Sequence, residues 1–327
     1  MRRALACDDP ALAPLYGMMR YHLGWNTADF APDDAKTGKR LRPRMCLLAC
    51  AAAGGDPARA VPVAAAIEFL HNFTLIHDDI QDDSLYRHNR RTVWSVWGMP
   101  QAINAGDGMY AVAHEALFGL VEAGVPARTV VSLAREFDAT VLRICEGQFQ
   151  DIGFEARWDI SGADYVQMIG GKSAAIFAYA AHAGAMLAGA DDRRAAAFGA
   201  FGRVFGLGFQ VRDDLLGIWG SQAQTGKPEA DDIRRRKKSL PVILLHERAE
   251  EAERNYLESL YARDEVAPGD VRRVVALLND AGVHDECQAT VDRYHADAAA
   301  LLDAAGASGP ARDALADLVA AMAVREA

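Results

Sequence analysis

The chain contains 327 residues, of which 51% are hydrophobic and 24% charged, and its formal net charge is −10. This composition is typical of a globular protein and excludes a disordered tail or a collagen-like fibre. The acidic balance argues against nucleic acid as a general partner, because a phosphate backbone is bound by a basic surface. The five cysteines are scattered without a CxxC pair, which fits a reducing compartment and predicts a cytoplasmic protein.

Apolar residues recur at helical spacing, three and four positions apart, along most of the chain. The predicted helices are, in chain order, Val61–Ile76, Ala111–Leu120, Val130–Ile144, Lys172–Leu187, Ala195–Ile218 and Val271–Leu278. Alternating runs of β-branched and aromatic residues are nearly absent, so strands are not expected. The pattern predicts a single all-α domain over residues 1–327, built as one large helical bundle.

The longest weakly apolar stretch, Ser173–Ala190, has 18 residues without Asp, Glu, Lys or Arg. It consists mainly of Ala and Gly and contains His182, so its transfer into a bilayer is only weakly favourable. We expect a closely packed buried helix there and no membrane span. The N-terminal sequence MRRALACDDP lacks the apolar stretch of a secretory signal.

An acidic cluster follows the first strongly apolar helix, in the sequence LIHDDIQDD at 75–83. Asp78 and Asp82 are one helical turn apart and share a face. Two carboxylates about 5 Å apart repel each other by a few kcal/mol at an effective dielectric constant near 20. Mg²⁺ would relieve this repulsion, because it binds a few carboxylates together with water and substrate phosphates. A solvated acidic face at a helix end is the alternative interpretation.

A second acidic pair lies in another apolar helical run, FQVRDDLL at 209–216. In a helical bundle two such helices can face each other, which would place Asp78 and Asp213 in one cavity. Two opposed acidic clusters suit a polyanionic ligand held through several Mg²⁺ ions. Two independent surface patches are the alternative.

Cationic residues accompany both acidic clusters. They are Lys39, Arg40 and Arg42 in GKRLRP at 38–43, Arg87, Arg90 and Arg91 after the first cluster, and Lys172, Lys227 and Lys237 in the second half. Arginine binds phosphate with a bidentate fork and lysine with a point charge. Each cation alone is compatible with a solvated surface position, but together they predict a diphosphate site.

These motifs, in this order, resemble those of the trans-isoprenyl diphosphate synthases of the polyprenyl synthetase family, and the geranylgeranyl diphosphate synthases in particular. The matching segments are GKRLRP at 38–43, EFLHNFTLIHDDIQD at 68–82, GQ at 147–148, KS at 172–173, FQVRDD at 209–214, GKP at 226–228, DI at 232–233 and KKSLP at 237–241. A DDxxD motif alone is weak evidence, whereas so many elements in order are specific. The resemblance covers 38–241 and leaves 242–327 as C-terminal helices. It implies an isoprenoid-synthase type of helical bundle with a central active-site cavity.

The resemblance also implies roles for individual residues. The carboxylates implied to hold Mg²⁺, three ions in all, are Asp78, Asp79, Asp82, Asp213 and Asp214. The residues implied to bind the diphosphate of an allylic substrate are Arg87, Gln148, Lys172, Ser173, Gln210, Lys227 and Lys237. Isopentenyl diphosphate is implied to contact Lys39, Arg42, His71 and the residue at position 88. Asp78, Asp82, Asp213, Lys172 and Arg87 would carry catalysis.

The implied reaction is the ionisation of an allylic diphosphate (dimethylallyl, geranyl or farnesyl), its condensation with isopentenyl diphosphate and the elimination of a proton. Metals and cations would stabilise the departing diphosphate, and exclusion of water would protect the allylic cation. Members of this family are usually homodimers, so the resemblance implies a homodimer.

Two positions depart from the family pattern. Gly217 stands where the second acidic motif often has a third Asp, and we expect activity to survive because that Asp is usually the least direct metal ligand. His88 stands where a second Arg usually contacts isopentenyl diphosphate, and Arg90 or Arg91 is a candidate to compensate.

Product length is predicted from the residues that precede the first acidic motif. Phe73 lies five positions before Asp78, and Phe69 and Leu70 lie one turn further back. A bulky residue at that position, without an insertion in DDxxD, is typical of C20 synthases in the family. C20 geranylgeranyl diphosphate is therefore the expected product, with C15 next.

Two other functions compete with this prediction. A class I terpene cyclase has a similar fold, but its second metal motif of Asn or Asp with Ser or Thr and Glu is missing after Asp213. A noncatalytic subunit of a heteromeric prenyl synthase would be expected to lose metal-binding Asp residues, and here they are intact.

Overall fold

The structure, a computed structural model, describes residues 1–35, 38–222 and 228–323. Its α-helices are α1 (Ala13–His22), α2 (Leu41–Ala52), α3 (Val61–Gln81), α4 (Val93–Trp97), α5 (Met99–Glu122), α6 (Ala127–Glu155), α7 (Gly162–Ile169), α8 (Ala175–Leu187), α9 (Asp192–Trp219), α10 (Asp231–Arg234), α11 (Leu240–Arg248), α12 (Glu251–Tyr261), α13 (Pro268–Asp280), α14 (Val283–Ala304) and α15 (Gly309–Ala323). Short 3₁₀ turns span Arg2–Leu5 and Pro57–Ala60, and a π-helical turn spans Gly170–Ala174. The all-α prediction is confirmed.

The one pair of strands in the described part of the chain was not expected from the sequence. β1 (Tyr86–Arg87) and β2 (Arg90–Arg91) form a two-residue antiparallel ladder that pairs Tyr86 with Arg91. The two residues between them, His88 and Asn89, have φ angles of 49° and 59°. Positive φ at both central positions is the geometry of a two-residue hairpin turn, which closes a ladder too short to show alternation in the sequence.

The chain divides into two compact units. Unit 1 comprises Met1–Phe137 and Ala183–Ala190, and unit 2 comprises Asp138–His182 and Asp191–Ala327. The single domain predicted over residues 1–327, with a central active-site cavity, stays a prediction.

The core of unit 1 is built around α3, which packs along α5 and against α2. Gly106 on α5 permits this approach, because a Cβ atom there would lie 2.3 Å from His77 Nε2 on α3. Gly184 likewise lets α8 approach α2 closely, because a Cβ atom built on Gly184 would lie 2.2 Å from the Cys46 carbonyl oxygen. Cys46 and Cys50 are fully buried in this core, as apolar side chains would be.

The core of unit 2 lies between α9, α14 and the segment from α7 to α8. Gly202 and Gly206 on α9 sit against the backbone of Phe177 and Ala174, where a Cβ atom would lie 2.3 and 2.7 Å from backbone atoms. Small residues thus bring the helix of the second acidic motif into backbone contact with the π-helical turn.

Buried helices account for the most apolar parts of the sequence. The stretch Ser173–Ala190 runs mainly through α8, and Ala180, Ala181 and Ala185 are fully buried, as expected. The helical stretch Pro57–Gln81 is, by length and composition alone, long and apolar enough to cross a membrane, and 56% of its apolar window is buried within the protein. The core helix of a globular protein meets the same criterion, and the absence of a membrane span stays a prediction.

Candidate active site

The first acidic motif lies in the last turn of α3, in unit 1. Asp78 is half-buried, and Asp82, which follows the helix, is exposed and donates its backbone N–H to the Asp78 carbonyl oxygen at 2.9 Å. Asp79 points the other way and is only 1% exposed. Helical periodicity therefore presents Asp78 and Asp82 at the surface and directs Asp79 into the protein.

Arg87 on β1 neutralises the buried carboxylate. Its Nε donates to Asp79 Oδ1 at 2.8 Å, while Oδ2 is buried without a hydrogen-bond partner among the described residues. Burial raises the pKa of Asp79 to about 6; Arg87 opposes this shift, and Asp78 and Asp82 add to it. Arg87, predicted to bind diphosphate, is thus anchored beside the first acidic motif by Asp79.

The hairpin also shows what Arg90 and Arg91 do. Arg90 donates from Nη1 to Asp33 Oδ2 at 2.8 Å and from Nη2 to the Asn26 carbonyl oxygen, and its guanidinium lies 4.5 Å from the ring of Tyr21. Arg91 is exposed and donates to the Ser95 carbonyl oxygen. Arg90 therefore fixes the loop after α1, which argues against it as a substitute for the family arginine at position 88.

The predicted isopentenyl diphosphate residues lie at the start of α2 and in the middle of α3. Arg42 Nη1 lies 3.2 Å from His71 Nε2, and Lys39 is exposed in the turn before α2, where Gly38 has a φ of 81°. Arg40 lies beside this pair, with its Nε 3.8 Å from the buried Glu68 carboxylate. The structure thus brings Arg42 and His71 together from segments about 30 residues apart, and the substrate role of Lys39 stays a prediction.

His71 is kept neutral by its surroundings. Burial, and next the positive charges of Arg42 and Arg87, hold the pKa of His71 well below its usual value. His22, which the sequence gave no reason to select, also contributes to this effect. Burial and then Arg87, His88 and Arg90 lower the pKa of His22 to about 3. Two neutral imidazoles therefore accompany the arginines here, and only His88 at the hairpin turn is exposed.

The predicted chain-length residues line up along α3. Phe69 and Leu70 are fully buried, and Phe73 is half-buried, with its ring centroid 4.8 Å from that of His77. Tyr110 on α5 lies at the same level, 5.2 Å from the Phe73 ring. Sequence reasoning missed Tyr110, because only the packing of α5 on α3 brings it beside Phe73.

The second acidic motif lies on α9, in unit 2. Asp213 is exposed, whereas Asp214 is completely buried. Tyr165 Oη donates to Asp214 Oδ2 at 2.6 Å, Gln210 Nε2 donates to Oδ1 at 3.1 Å, and Lys237 Nζ lies 3.5 Å from Oδ1. Burial raises the pKa of Asp214 to about 6, against the opposing effects of Lys237 and Tyr165. Both oxygens of Asp214 have protein partners, so it holds Lys237 and Gln210 in place, and its metal contact stays a prediction.

The middle motifs meet at the π-helical turn. Gly147 on α6 has no side chain where the backbone of Lys172 approaches, and a Cβ atom there would lie 2.3 Å from the Lys172 nitrogen. Lys172 Nζ contacts the Asp151 carboxylate, and Ser173 Oγ donates to Gln210 Oε1 at 2.7 Å. Single π-helical turns are frequent at functional sites. The structure therefore joins Gly147, Lys172, Ser173 and Gln210, while Gln148 lies half-buried on α6.

Lys237 and Lys238 have different environments. Lys237 keeps 41% of its side chain exposed; burial would lower its pKa, but Asp232 and then Asp214 raise it above its usual value. Lys238 donates to the carbonyl oxygens of Phe154 and Glu155 at 3.2 and 2.9 Å, and so caps the end of α6. Lys227, also predicted to bind diphosphate, lies outside the described residues.

The donor set fits magnesium. Among the described residues no three His, Cys, Asp or Glu side chains are close enough to enclose a metal ion. Mg²⁺ does not need such a cage, because it is commonly held by one or two carboxylates together with water and substrate phosphates. The carboxylates available for such a site are those of Asp78, Asp82 and Asp213. Asp79, which lies between Asp78 and Asp82 in the sequence, has a buried Oδ2 without a hydrogen-bond partner among the described residues.

Comparison with known proteins agrees with this description. The polyprenyl synthetase family model matches residues 34–278. A geranylgeranyl diphosphate synthase from Mycobacterium tuberculosis is 42% identical over 294 residues, covering 89% of this chain and 82% of that protein. A (2E,6E)-farnesyl diphosphate synthase from Mycobacterium bovis is 42% identical over 236 residues, covering 72% of this chain and 63% of that protein, so the chain spans less than two thirds of this relative.

The fold is also that of a solved structure. The crystal structure of a polyprenyl synthetase from Streptomyces coelicolor A3(2) superimposes with a TM-score of 0.90 at 35% identity, covering 99% of this chain and 95% of that one. The family match extends over three quarters of the sequence and includes both acidic motifs. The chain therefore belongs to the polyprenyl synthetase family.

Proposed function

We propose that the protein is a Mg²⁺-dependent prenyltransferase that condenses isopentenyl diphosphate with an allylic diphosphate to make a short-chain all-trans prenyl diphosphate. The observation that carries this proposal is the pairing, in each unit, of an acidic motif with ordered cations. Unit 1 holds Asp78 and Asp82 near Arg87, and unit 2 holds Asp213 and the Asp214–Lys237 pair. The family membership and the names of the curated relatives support the same activity.

Unit 1 supplies the groups for isopentenyl diphosphate. Lys39 and Arg42 provide positive charge for its diphosphate, and neutral His71 provides a hydrogen-bonding imidazole beside Arg42. His88 takes the place of the usual second arginine at the hairpin turn. Because Arg90 is engaged with Asp33, the positive charge at this edge is assigned to Arg42 and Arg87.

Unit 2 supplies cations for the allylic diphosphate. Lys172, Lys227 and Lys237 provide its positive charges, with Gln148, Ser173 and Gln210 as polar neighbours. Mg²⁺, when bound, neutralises the diphosphate and stabilises its departure as a leaving group. Its ligands would be Asp78, Asp82 and Asp213, with three ions in all, as in the family pattern.

The reaction follows from these roles. The C1–O bond of the allylic diphosphate breaks and releases diphosphate, and C1 forms a bond to C4 of isopentenyl diphosphate. A proton then passes from C2 of the isopentenyl unit to the released diphosphate as the C2–C3 double bond forms. Lys172 and Lys237, each held by a carboxylate, keep positive charge fixed where the leaving group gains negative charge. Fixed charges act without reorganising during the reaction, which is the main catalytic contribution that these side chains can make.

We further propose a C20 product, geranylgeranyl diphosphate. Phe73 lies five residues before Asp78, or about 7.5 Å back along the helix axis, and Tyr110 adds a second ring at that level. Together the two rings form a floor that a growing chain would meet as it lengthens along α3. A curated relative named for C20 synthesis and another named for C15 synthesis support a product in this range.

The quaternary structure that we propose is a homodimer. Several apolar side chains on α6 are exposed, including Phe149 at 80% and Leu142 at 60%. Burying such side chains in a second copy of the chain would remove them from water. A cytoplasmic location also remains a proposal, consistent with five unpaired cysteines.

The proposed function is tested by incubating the purified protein and Mg²⁺ with isopentenyl diphosphate and, separately, dimethylallyl, geranyl or farnesyl diphosphate. We expect diphosphates longer than the primer by C5 units, detected by mass spectrometry, and no product when isopentenyl diphosphate is omitted. Hydrocarbons or alcohols made from a primer alone would instead identify a terpene cyclase. The absence of any product would indicate a noncatalytic subunit.

A further inference from the structure

Two adjacent lysines between α10 and α11 differ in exposure. Lys237 keeps 41% of its side chain exposed and has its Nζ 3.5 Å from Asp214 Oδ1, whereas Lys238 is only 6% exposed. The groups assigned to the allylic diphosphate include Lys237, but Lys238 has too little exposed surface to contact a ligand. A buried ammonium group is costly unless it is paired or hydrogen-bonded, so its partners show what holds it there.

The Lys238 ammonium group is bound by the C-terminal end of α6 and the turn that follows. It donates to the carbonyl oxygens of Phe154 and Glu155 at 3.2 and 2.9 Å, and also to that of Arg157. Three acceptors match the three donors of an ammonium group. A cation is favoured at a helix C-terminus, because the last carbonyl groups have no helical partners. The ring of Trp158 adds a cation–π contact, with Nζ 4.2 Å from its centroid.

These contacts connect the two lysines assigned to the allylic diphosphate. Asp151, three residues before the first of the carbonyl groups on α6, binds Lys172 through its carboxylate. Lys237 precedes Lys238 directly, so the segment that carries Lys237 is tied to the helix that orients Lys172. The residue before Lys237, Arg236, has a φ of 57°, a conformation that persists only where the surrounding structure holds it.

We propose that Lys238 is a positioning residue for the allylic diphosphate: by binding the end of α6, it holds Lys237 and Lys172 where both can contact one diphosphate. Lys238 itself does not touch the substrate. The proposal rests on the proposed function, since it assumes that Lys172 and Lys237 bind the allylic diphosphate. It predicts that removing a buried cation weakens diphosphate binding although no ligand contact is lost.

The titration of Lys238 offers a way to test this role. Burial lowers the pKa of Lys238 to about 8, and the negative charges of Glu155 and then Glu258 oppose the shift. The other titratable or charged side chains around this group and the Trp158 ring are His246, Tyr261 and Arg157. The pKa of Lys237 lies above its usual value, so Lys237 stays charged at pH 9. Raising the pH from 7 to 9 should therefore discharge Lys238 and leave Lys237 charged.

The first experiment measures Mg²⁺-dependent binding of inorganic pyrophosphate to the purified full chain by isothermal titration calorimetry at pH 7 and pH 9. A group with a pKa of about 8 is protonated in only about a tenth of the molecules at pH 9. The affinity of the wild-type protein should thus fall roughly tenfold relative to that of Lys238→Arg, because arginine does not titrate in this range. Comparing the two proteins at each pH cancels the titration of pyrophosphate itself.

The second experiment removes the charge at every pH. Lys238→Met should weaken pyrophosphate binding at pH 7 roughly 10- to 100-fold, the usual range for the loss of a group that orients ligands. It should also raise KM for the allylic substrate and leave KM for isopentenyl diphosphate unchanged, because the groups assigned to the latter lie in unit 1. Arg157→Met is the matched control, since it removes an exposed cation and keeps the carbonyl acceptor of residue 157. It should bind pyrophosphate like the wild-type protein.

Circular dichroism establishes which variants fold, and where one Lys238 variant does not fold, the other decides. The proposal is overturned if folded Lys238→Met binds pyrophosphate as the wild-type protein does, or if it raises both KM values equally. It is also overturned if the wild-type protein and Lys238→Arg change affinity equally between pH 7 and pH 9. A wild-type protein that neither binds pyrophosphate with Mg²⁺ nor extends a primer would contradict the proposed function itself, which keeps the two failures distinguishable.

Discussion

Along the last turn of α3, neighbouring carboxylates lie in opposite environments. Asp78 and Asp82 remain available to a ligand, while Asp79 is buried and paired with Arg87. The same division separates exposed Asp213 from buried Asp214 on α9. At both motifs a carboxylate that we propose to bind Mg²⁺ is followed by a buried neighbour that holds a cation in position.

The carboxylates assigned to Mg²⁺ are expected to be essential for turnover. Asp78→Asn and Asp213→Asn should each lower kcat by roughly 10²- to 10³-fold, the cost of losing one preorganised electrostatic contact in a transition state. Asp83→Asn is the control, because Asp83 is exposed nearby and its positive φ of 48° is tolerated by Asn. Near-normal kcat in Asp78→Asn or Asp213→Asn would remove the metal assignment.

The burial of Asp214 can be tested through the pH dependence of the free energy of unfolding. Its pKa of about 6 in the folded protein exceeds the ordinary value of 3.8, so the native state binds the extra proton and loses stability as pH rises from about 4 to 6. The rise of the pKa from 3.8 to about 6 lowers the free energy of unfolding by roughly 3 kcal/mol, and this loss is complete above pH 6, where Asp214 is ionised.

Asp214→Asn removes this titration. Without Mg²⁺, its free energy of unfolding relative to the wild-type protein should therefore improve by about 2 kcal/mol between pH 4.5 and 7.5, because part of the cost is already present at pH 4.5. Urea unfolding at the two pH values measures the change. A difference between variant and wild type that is the same at both pH values would show that Asp214 does not titrate in this range.

The sequence predicted the exposed and charged members of the site, because DDxxD spacing on a helix is a local pattern. It did not predict Tyr165, which reaches Asp214 from 49 residues away. His22 was missed for the same reason, since no motif surrounds it. Such partners are chosen by tertiary packing, which leaves no periodic signal in the sequence.

At the scale of the elements, pairs of helices fix the site through small residues and rings. Phe73 on α3 packs on Tyr110 of α5, and Gly147 on α6 admits the backbone of Lys172. The helices themselves were predicted from periodicity, but α3 extends past Ile76 to Gln81, because the polar residues after Ile76 continue on the helix surface. The π-helical turn and the two-residue hairpin are too short to produce a recognisable periodic pattern of apolar residues in the sequence.

The aromatic pair should set product length jointly. Phe73→Ala should shift some product from C20 to longer chains, and the Phe73→Ala, Tyr110→Ala double variant should shift more, because Tyr110 remains as a barrier in the single variant. Phe118→Ala, at an exposed position on α5, is the control and should leave the distribution unchanged. Mass spectrometry of the products decides, and an unchanged distribution in the double variant would exclude this floor.

Gly147 should be sensitive to a single methyl group. Gly147→Ala places a Cβ atom 2.3 Å from the Lys172 nitrogen, so either α6 or the π-helical turn must move. Overpacking of this kind costs about 1–3 kcal/mol, which should appear as a lower midpoint in urea unfolding together with a higher KM for the allylic substrate. Gly153→Ala on the same helix has open space, so it should neither lower the unfolding midpoint nor raise KM. A stable Gly147→Ala enzyme would show that the close approach is not required.

At the scale of the whole molecule, the chain is acidic, with a net charge of −10, yet its cations cluster next to the acidic motifs. The two compact units each contain one acidic motif and its ordered cations. The residues to which we assign the proposed activity extend from Lys39 to Lys237.

Self-association is the expectation at this scale. One chain has a mass of 35.3 kDa, and sedimentation velocity should give a species of twice that mass. Phe149→Glu should shift this species toward the monomer, because it places a charge on the exposed apolar face of α6. The control is Val61→Glu, at an exposed apolar position on another helix, which should not change the mass. A monomeric wild-type protein would contradict the proposed homodimer.

The most direct test of the account is the length distribution of products that the wild-type protein makes from farnesyl diphosphate, excess isopentenyl diphosphate and Mg²⁺. The floor formed by Phe73 and Tyr110 predicts one addition, so that C20 geranylgeranyl diphosphate is the main product and little C25 or longer material accumulates. Predominant products of C25 or longer, or farnesyl diphosphate left unextended, would contradict it.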